Sequence, residues 1–169
     1  PYRVLHNETY FEYLATKKFQ SEIGMPNMVN IESLKLMMPD SLILDQNRVW
    51  GIHDFCLESM QACQTFNDRI EKSYGYKFDA SKWFVFSQWV NYEGYRAIFE
   101  AQSKYRMGAL LWMSHPAWPS LVWQTYDYYL EPTAAYFGVK KACEPLHILF
   151  NPLNDSIVVV NNNFGNISG

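Results

Sequence analysis

The residues with the clearest capacity for chemistry surround one carboxylate, Glu22. The stretch Lys18-Phe19-Gln20-Ser21-Glu22-Ile23-Gly24-Met25-Pro26-Asn27 begins with strand-forming residues, passes through this carboxylate and turns at a Gly and a Pro. The following Asn30-Ile31-Glu32-Ser33 predicts a helix start, with Asn as the cap. A strand that ends in a carboxylate, followed by a loop and a helix, is typical of an α/β barrel, where the carboxyl ends of strands carry the reacting groups. Glu22 is therefore a candidate catalytic residue; the alternative is an ordinary ion pair or an anion at a helix end.

The bulk composition limits the classes of partner. The chain has 169 residues, a net charge of -3 and 18% charged residues, enough for one domain with a real core. No stripe of Lys and Arg exists to neutralise phosphates, so we expect no nucleic acid and no anionic membrane as partner. No apolar run approaches the roughly 20 residues that span a bilayer. The chain begins at Pro1 without a signal-peptide pattern.

Aromatic residues make up 17% of the chain, with six Trp and twelve Tyr. Two explanations are open. The first is a crowded interface between helices and a sheet. The second is carbohydrate binding, because the flat C–H faces of sugar rings stack on indole and phenol rings.

Metal and cofactor chemistry has little support in the sequence. Cys56 and Cys63 lie two helical turns apart, roughly 10 Å, which is too far for a disulfide. Together with Cys143 they are predicted to be small buried hydrophobic residues. The histidines are scattered, at positions 6, 53, 115 and 147, and no Gly-rich phosphate loop or Gly-x-Ser-x-Gly elbow is present. We therefore expect no metal and no cofactor.

The order of predicted elements is strand, helices, strand, helix and hairpin. The run 109–113 is unbroken and apolar, which predicts a strand buried on both faces. Two parallel strands cannot bury themselves and a lone hairpin is marginal, so we expect the chain to be a piece of a larger protein. The predicted elements are strand 17–23, helix 31–38, loop 40–50, helix 53–74, a helix from Asp79 or Ser81 to about 105, strand 109–113, a helix with Pro132 at its first position that closes before Pro145, and a hairpin of strands 146–150 and 156–160.

Four motifs, in the right order and covering nearly the whole chain, resemble glycoside hydrolase family 2, especially its exo-β-glucosaminidase and β-mannosidase branch. Ser21-Glu22-Ile23-Gly24 is similar to the nucleophile segment that ends barrel strand seven, and residues 30–39 are similar to the helix behind it. Similar to strand eight with its sugar-contacting loop is Gly108-Ala109-Leu110-Leu111-Trp112-Met113 with Trp118-Pro119-Ser120 and Trp123-Gln124. Residues 136–148 are similar to the last barrel helix entering a β-sandwich.

The resemblance implies an α/β fold class: the C-terminal portion of a (β/α)8 TIM barrel, strands seven and eight with their helices, running into the start of a β-sandwich. Residues 1–145 would be barrel and residues 146–169 the first hairpin of the sandwich. The implied activity is hydrolysis of terminal β-linked sugars with retention, on a glucosaminide first and a mannoside second. β-Mannosidases of the family usually have Trp-Gln-Leu-Asn-Asp in strand eight, where this chain has Trp112-Met113-Ser114-His115-Pro116.

The resemblance also implies residue roles. Glu22 would be the nucleophile, and Trp112 and Trp118 a sugar platform, although either Trp could instead be core packing. His53 and His115 could hydrogen-bond sugar hydroxyls, or be satisfied structural groups.

The family's acid/base Glu would lie upstream of Pro1, so the isolated chain is expected to be inactive. Its partners would be a β-linked oligosaccharide or glycan and the remainder of the parent polypeptide, and a polysaccharide-degrading parent favours a periplasmic or secreted location. The rival interpretation is a non-catalytic carbohydrate-binding or structural module. In helix 79–105, Glu93 and Arg96 are expected to pair with each other or to orient the barrel floor.

Overall fold

The computed structural model describes residues 4–55, 60–76, 79–104, 108–121, 123–163 and 165, and within 60–64 only the backbone. Seven helices and four strands lie in this part of the chain. They are α1 (Asn7–Leu14), β1 (Gln20–Ile23), α2 (Ile31–Met37), α3 (Asp40–Ile43), α4 (Arg48–Ile52), α5 (Met60–Tyr74), α6 (Ala80–Glu100), β2 (Ala109–Leu111), α7 (Ala134–Ala142), β3 (Leu146–Asn151) and β4 (Ser156–Asn161). The mixture of helices and strands confirms the α/β class.

Strands β1 and β2 pair in parallel, with Gln20 opposite Ala109 and Ile23 opposite Leu111. The first strand takes three residue steps where the second takes two, so the register is irregular between Gln20 and Ile23. The prediction that 109–113 is buried on both faces is wrong for this chain, because Leu110 is 58% exposed. The described residues supply only these two strands to the sheet and leave Leu110 uncovered.

Helix α6 is the longest described element, with 21 residues, and it organises the core. Asp79 caps it by accepting a hydrogen bond from the Ser81 amide at 3.1 Å, which settles the two predicted alternatives for the cap. The helix ends at Glu100, earlier than the predicted end near 105, and turns follow through residue 104. An aromatic cluster packs between its first turns and α4, with ring centroids 5.2 to 5.8 Å apart. Its members are Trp50, Phe55, Phe66, Trp83 and Phe84. A crowded core thus accounts for part of the aromatic excess.

The predicted loop over 40–50 is wrong, since it contains helix α3 and the start of α4. Asn47 caps α4 through a hydrogen bond from the Val49 amide at 2.8 Å, and Trp50 anchors the segment by donating from Nε1 to the Leu42 carbonyl at 2.8 Å. The helix predicted from 53 also begins later, because His53 ends α4 and Asp54 has a positive φ of 64°. Residues 56–59 lie outside the described part.

Helix α7 begins at Ala134 with Thr133 at its N-cap, so Pro132 lies two residues before the helix instead of at its first position. The predicted close before Pro145 is confirmed. Cys143, at the C-cap, is an exposed free thiol, which corrects its prediction as a buried hydrophobic residue. Cys56, and the side chain of Cys63, lie outside the described residues.

The predicted hairpin is confirmed: β3 and β4 pair antiparallel from Leu146 opposite Asn161 to Asn151 opposite Ser156. One of its faces packs inward through Leu149, Val160 and His147. The other face is apolar and exposed, and it consists of Leu146, Ile148, Phe150, Ile157 and Val159.

An ion cluster joins the hairpin to α6. The Nε2 atom of buried His147 lies 2.6 Å from Glu100 Oε1, and Arg96 Nε donates to the same oxygen at 2.6 Å. The predicted Glu93–Arg96 pair is therefore wrong: Arg96 takes the acid four residues ahead, while Glu93 lies 3.8 Å from Arg69 of α5.

Candidate functional site at the ends of the parallel strands

Glu22 and Trp112 both lie at the carboxyl-terminal end of the two-stranded parallel sheet. Glu22 is the third residue of β1, and Trp112 follows β2 directly. The Trp112 amide donates to the Ile23 carbonyl at 2.9 Å, so the pairing continues through the strand ends. The Glu22 side chain is exposed and Trp112 is 49% exposed. An exposed carboxylate and a half-exposed indole therefore lie at the carboxyl ends of neighbouring parallel strands.

The register of β1 is irregular around Glu22. Both Ser21 and Glu22 lie between the paired residues Gln20 and Ile23. The side-chain amide of Gln20 donates to the Glu22 carbonyl at 2.8 Å and so satisfies the backbone there. Irregularities of this kind change the direction of a side chain and are common beside active sites.

The chain that leaves β1 is held by side chains of α6. Tyr95 donates from its hydroxyl to the Met25 carbonyl at 3.1 Å. Asn91 uses both ends of its amide: Nδ2 donates to the Pro26 carbonyl at 2.7 Å, and Oδ1 accepts from the Met28 amide at 3.0 Å. Burial raises the pKa of Tyr95, so its hydroxyl keeps the proton that it donates.

Gln88 extends the same arrangement by one turn. Its Nε2 lies within hydrogen-bonding distance of the Met28 carbonyl at 3.0 Å and the Val29 carbonyl at 3.2 Å. Its Oε1 accepts from the Ala134 amide at 3.3 Å, at the start of α7. Sequence analysis singled out none of the three as a site residue, although Asn91 and Tyr95 follow Gln88 by three and seven residues, a spacing that puts all three on the same helix face.

A second bridge joins the two loops that follow the strands. Asn27 Nδ2 donates to the Gln124 carbonyl and, at 3.0 Å, to Thr133 Oγ1. Asn30, predicted as the cap of α2, does occupy the N-cap position but makes no capping bond. Its side chain instead donates to the Pro132 carbonyl at 3.3 Å. The loop after β1 is thereby fastened to the segment that precedes α7.

His53 and Trp118 lie together. Their rings stack with centroids 6.1 Å apart and planes 21° from parallel. His53 Nδ1 lies 2.8 Å from the Pro119 carbonyl, and because a carbonyl only accepts, Nδ1 carries the proton. The Leu121 amide donates to the His53 carbonyl at 2.8 Å. Trp118 is 42% exposed, so its indole keeps accessible surface. His53, through its bond to the Pro119 carbonyl, holds the loop that carries Trp118.

His115 has a different neighbour. Its ring stacks on Tyr128, with centroids 6.5 Å apart and planes at 14°. The loop that carries it closes on itself through backbone hydrogen bonds, from the Met113 amide to the Trp123 carbonyl at 2.6 Å and from the Thr125 amide to the Met113 carbonyl at 3.2 Å. The structure thus places the five predicted site residues at three points: Glu22 and Trp112 at the ends of β1 and β2, His53 stacked on Trp118, and His115 stacked on Tyr128.

Two further features concern the described residues only. Within them, no three or more His, Cys, Asp or Glu side chains come together as a metal site. None of the helices there is long and apolar enough to cross a membrane.

Comparison with known proteins relates this chain to glycoside hydrolases. No protein-family model matches it. The exo-β-D-glucosaminidase of Amycolatopsis orientalis is 37% identical over 160 residues, which are 87% of this chain and 15% of that protein. The β-mannosidase B of Aspergillus terreus is 27% identical over 143 residues, 78% of this chain and 16% of that protein. The crystal structure of the Amycolatopsis orientalis exo-chitosanase superimposes with a TM-score of 0.76 and 27% identity, over 95% of this chain and 21% of that one.

The named relatives are all glycoside hydrolases. The predicted resemblance to the exo-β-glucosaminidase and β-mannosidase branch of glycoside hydrolase family 2 is confirmed. The chain spans only about a fifth or less of the length of each of these relatives.

Proposed function

We propose that this chain is part of the catalytic domain of a retaining exo-β-glycosidase, with Glu22 as its nucleophile. The observation that carries the proposal is the placement of Glu22, exposed at the carboxyl end of β1 beside Trp112. In α/β barrels the catalytic residues lie at the carboxyl ends of the strands. The relationship to exo-β-D-glucosaminidases supports the same conclusion.

The reaction would run in two steps. The Glu22 carboxylate attacks the anomeric carbon while the bond to the leaving oxygen breaks, and a second carboxylic acid protonates that oxygen. The second group then deprotonates a water molecule, which attacks the glycosyl ester and releases Glu22. Retaining enzymes place the two carboxyls about 5–5.5 Å apart. We assign the second carboxyl to the parent polypeptide upstream of Pro1, so the isolated chain would not turn over.

The aromatic residues would bind the sugar. Trp112 and Trp118 both expose indole surface, and such surface stacks well on the C–H faces of a pyranose. His53 would orient Trp118 and offer its second ring nitrogen to a hydroxyl, and His115 would contribute from the same loop. A glucosaminide is our first substrate and a mannoside our second, because strand β2 continues as Trp112-Met113-Ser114-His115.

We further propose that β1 and β2 are strands seven and eight of a (β/α)8 barrel spanning residues 1–145. The uncovered Leu110 supports this, since further strands or side chains of a complete barrel would bury it. Residues 146–169 would open a β-sandwich, where the exposed outer face of the hairpin would be covered.

The test uses the full-length protein that carries this chain, assayed on a panel of aryl β-glycosides. Glu22→Gln should lower kcat on the cleaved sugar by about a thousandfold or more. Glu32→Gln, at an exposed position in the first turn of α2, is the matched control and should retain the wild-type rate. Equal rates for Glu22→Gln and wild type would overturn the assignment. Sugar binding without turnover on any glycoside would favour the non-catalytic carbohydrate-binding module.

A further inference from the structure

We infer that one face of α6, formed by Gln88, Asn91 and Tyr95, positions Glu22 for its attack on the sugar. The inference rests on the proposed function, since it assigns positioning residues to a nucleophile. It adds residues far from Glu22 in sequence that do not touch the substrate but fix the backbone that carries the carboxylate.

The segment after Glu22 needs such support. Residues 24–29 are buried yet belong to no helix or strand, so their backbone polar groups have no secondary-structure ladder to join. Buried backbone groups without a partner are costly and rare in folded proteins. The side chains of α6 meet this need, with hydrogen bonds to the carbonyls of Met25, Pro26, Met28 and Val29 and to the Met28 amide.

These side chains are themselves fixed. Asn91 and Tyr95 are fully buried, and each lies on a 21-residue helix. Asn91 donates with Nδ2 and accepts with Oδ1 on the same segment, so its amide has a single orientation. The carbonyls of Met25 and Pro26 are therefore held three and four residues beyond Glu22.

Strand pairing alone leaves Glu22 weakly fixed. Among the described residues β1 has one strand partner, and the register shifts between Gln20 and Ile23, the interval that contains Glu22. The path of the chain after Glu22, which is the segment bound by α6, therefore contributes to the direction of the carboxylate. A nucleophile displaced by about 1 Å loses roughly a hundredfold in rate.

The experiment compares variants of the full-length protein that carries this chain. Tyr95→Phe keeps the ring and removes only the hydroxyl that donates to the Met25 carbonyl. Asn91→Asp keeps an acceptor for the Met28 amide and replaces the donor to the Pro26 carbonyl by an oxygen. Ser87→Ala is the matched control, because Ser87 is buried on the same helix and, among the described residues, its hydroxyl bonds only to the Phe84 carbonyl within that helix.

Rates are measured on the aryl β-glycoside that wild type cleaves and are divided by the concentration of active sites, titrated with a 2-deoxy-2-fluoro glycoside. We expect kcat to fall about tenfold for Tyr95→Phe and up to about a hundredfold for Asn91→Asp, with KM within about twofold of wild type. Ser87→Ala should keep kcat within about twofold. If Asn91→Asp does not fold, Tyr95→Phe carries the test.

Two results separate this inference from the proposed function. A wild-type kcat for Tyr95→Phe, in an assay where Glu22→Gln is inactive, overturns the positioning role and leaves the nucleophile in place. A wild-type kcat for Glu22→Gln overturns both. A loss that disappears after division by active-site concentration shows that α6 supports folding only, and it also overturns the inference.

Discussion

The amide of Trp112 donates to the carbonyl of Ile23 at 2.9 Å, one residue beyond Glu22. This bond ties the end of β1 to the residue that follows β2. The ends of the two strands that carry the carboxylate and the indole are thereby coupled. A change that moves the end of either strand is expected to move both groups relative to the proposed sugar site. The proposed nucleophile and the proposed platform are therefore expected to depend on each other.

Trp118→Ala should weaken substrate binding. Loss of an exposed indole stacked on a sugar removes about 0.5–1.5 kcal/mol, which corresponds to roughly a two- to tenfold increase in KM. Trp89→Ala is the control: Trp89 is similarly exposed but lies on α6, in a groove with Phe137. Steady-state kinetics on the full-length protein measures both. Equal KM values for the two variants would place Trp118 outside the sugar site.

Gly138→Ala should destabilise the contact between α6 and α7. An added Cβ would overlap the Tyr92 carbonyl oxygen and lie 3.1 Å from the Tyr92 carbonyl carbon. Backbone cannot yield as a side chain does, so we expect a loss of about 2 kcal/mol in the free energy of unfolding, more than the gain of up to about 1 kcal/mol from helix propensity.

Gly94→Ala is the companion variant for that test. Its added Cβ would overlap Met25 Sδ, which belongs to a flexible side chain, so it should cost less than Gly138→Ala. Urea unfolding gives both values. The reverse order would show that the α6–α7 contact can separate to admit a methyl group.

Glu100→Gln should loosen the hairpin from α6. Glu100 is nearly buried and binds both His147 and Arg96 at 2.6 Å. Loss of its charge should cost about 1–2 kcal/mol, since Arg96 is partly exposed and that part of the pair is screened. Hydrogen exchange of the β3 amides should become faster. Glu32→Gln removes an exposed carboxylate in the first turn of α2 that takes no part in this cluster, and it should leave exchange in β3 unchanged.

Two buried tyrosines should make the fold sensitive to alkali. Burial raises the pKa of Tyr10 and Tyr95, whereas in the unfolded chain both titrate near 10. Above about pH 10 the unfolded state releases these protons and the native state keeps them, so stability falls as pH rises, by up to about 1.4 kcal/mol per pH unit for each tyrosine.

The measurement is urea unfolding between about pH 9 and 11. The double substitution Tyr10→Phe and Tyr95→Phe should flatten the dependence of the free energy of unfolding on pH. Tyr128→Phe, which changes an exposed ring, should preserve that dependence. An unchanged slope in the double variant would contradict the assignment of the alkaline loss to these residues.

Local patterns predicted the parts of the fold that local residues decide. Glu22 followed by a turn and a helix start predicted β1 and α2, and the two largely apolar runs on either side of residues 151–155 predicted the hairpin. Helices α3 and α4 were missed because four or five residues are too few for a helical period to show. Exposure of Leu110 depends on strands that the described chain does not supply, which no local pattern reveals.

The support of the site was beyond prediction for a different reason. Asn91 and Tyr95 bond to backbone groups 63 to 70 residues away in sequence, and a backbone carbonyl carries no residue-specific signal. The predicted Glu93–Arg96 pair was wrong because Arg96 pairs with Glu100 instead. Glu100 also binds His147 of β3, a contact that only the fold provides. Identity of the candidate residues came from sequence motifs, whereas the contacts that hold them came only from the fold.

The central claim is that Glu22 forms the glycosyl ester. The most direct measurement treats the full-length protein with an activated 2-deoxy-2-fluoro β-glycoside, digests it and locates the added mass by peptide sequencing in the mass spectrometer. We predict that the label lies on Glu22 and that Glu22→Gln acquires none, while Glu32→Gln is labelled as wild type is. A label on another carboxylate, or an active enzyme that is never labelled, would contradict the account.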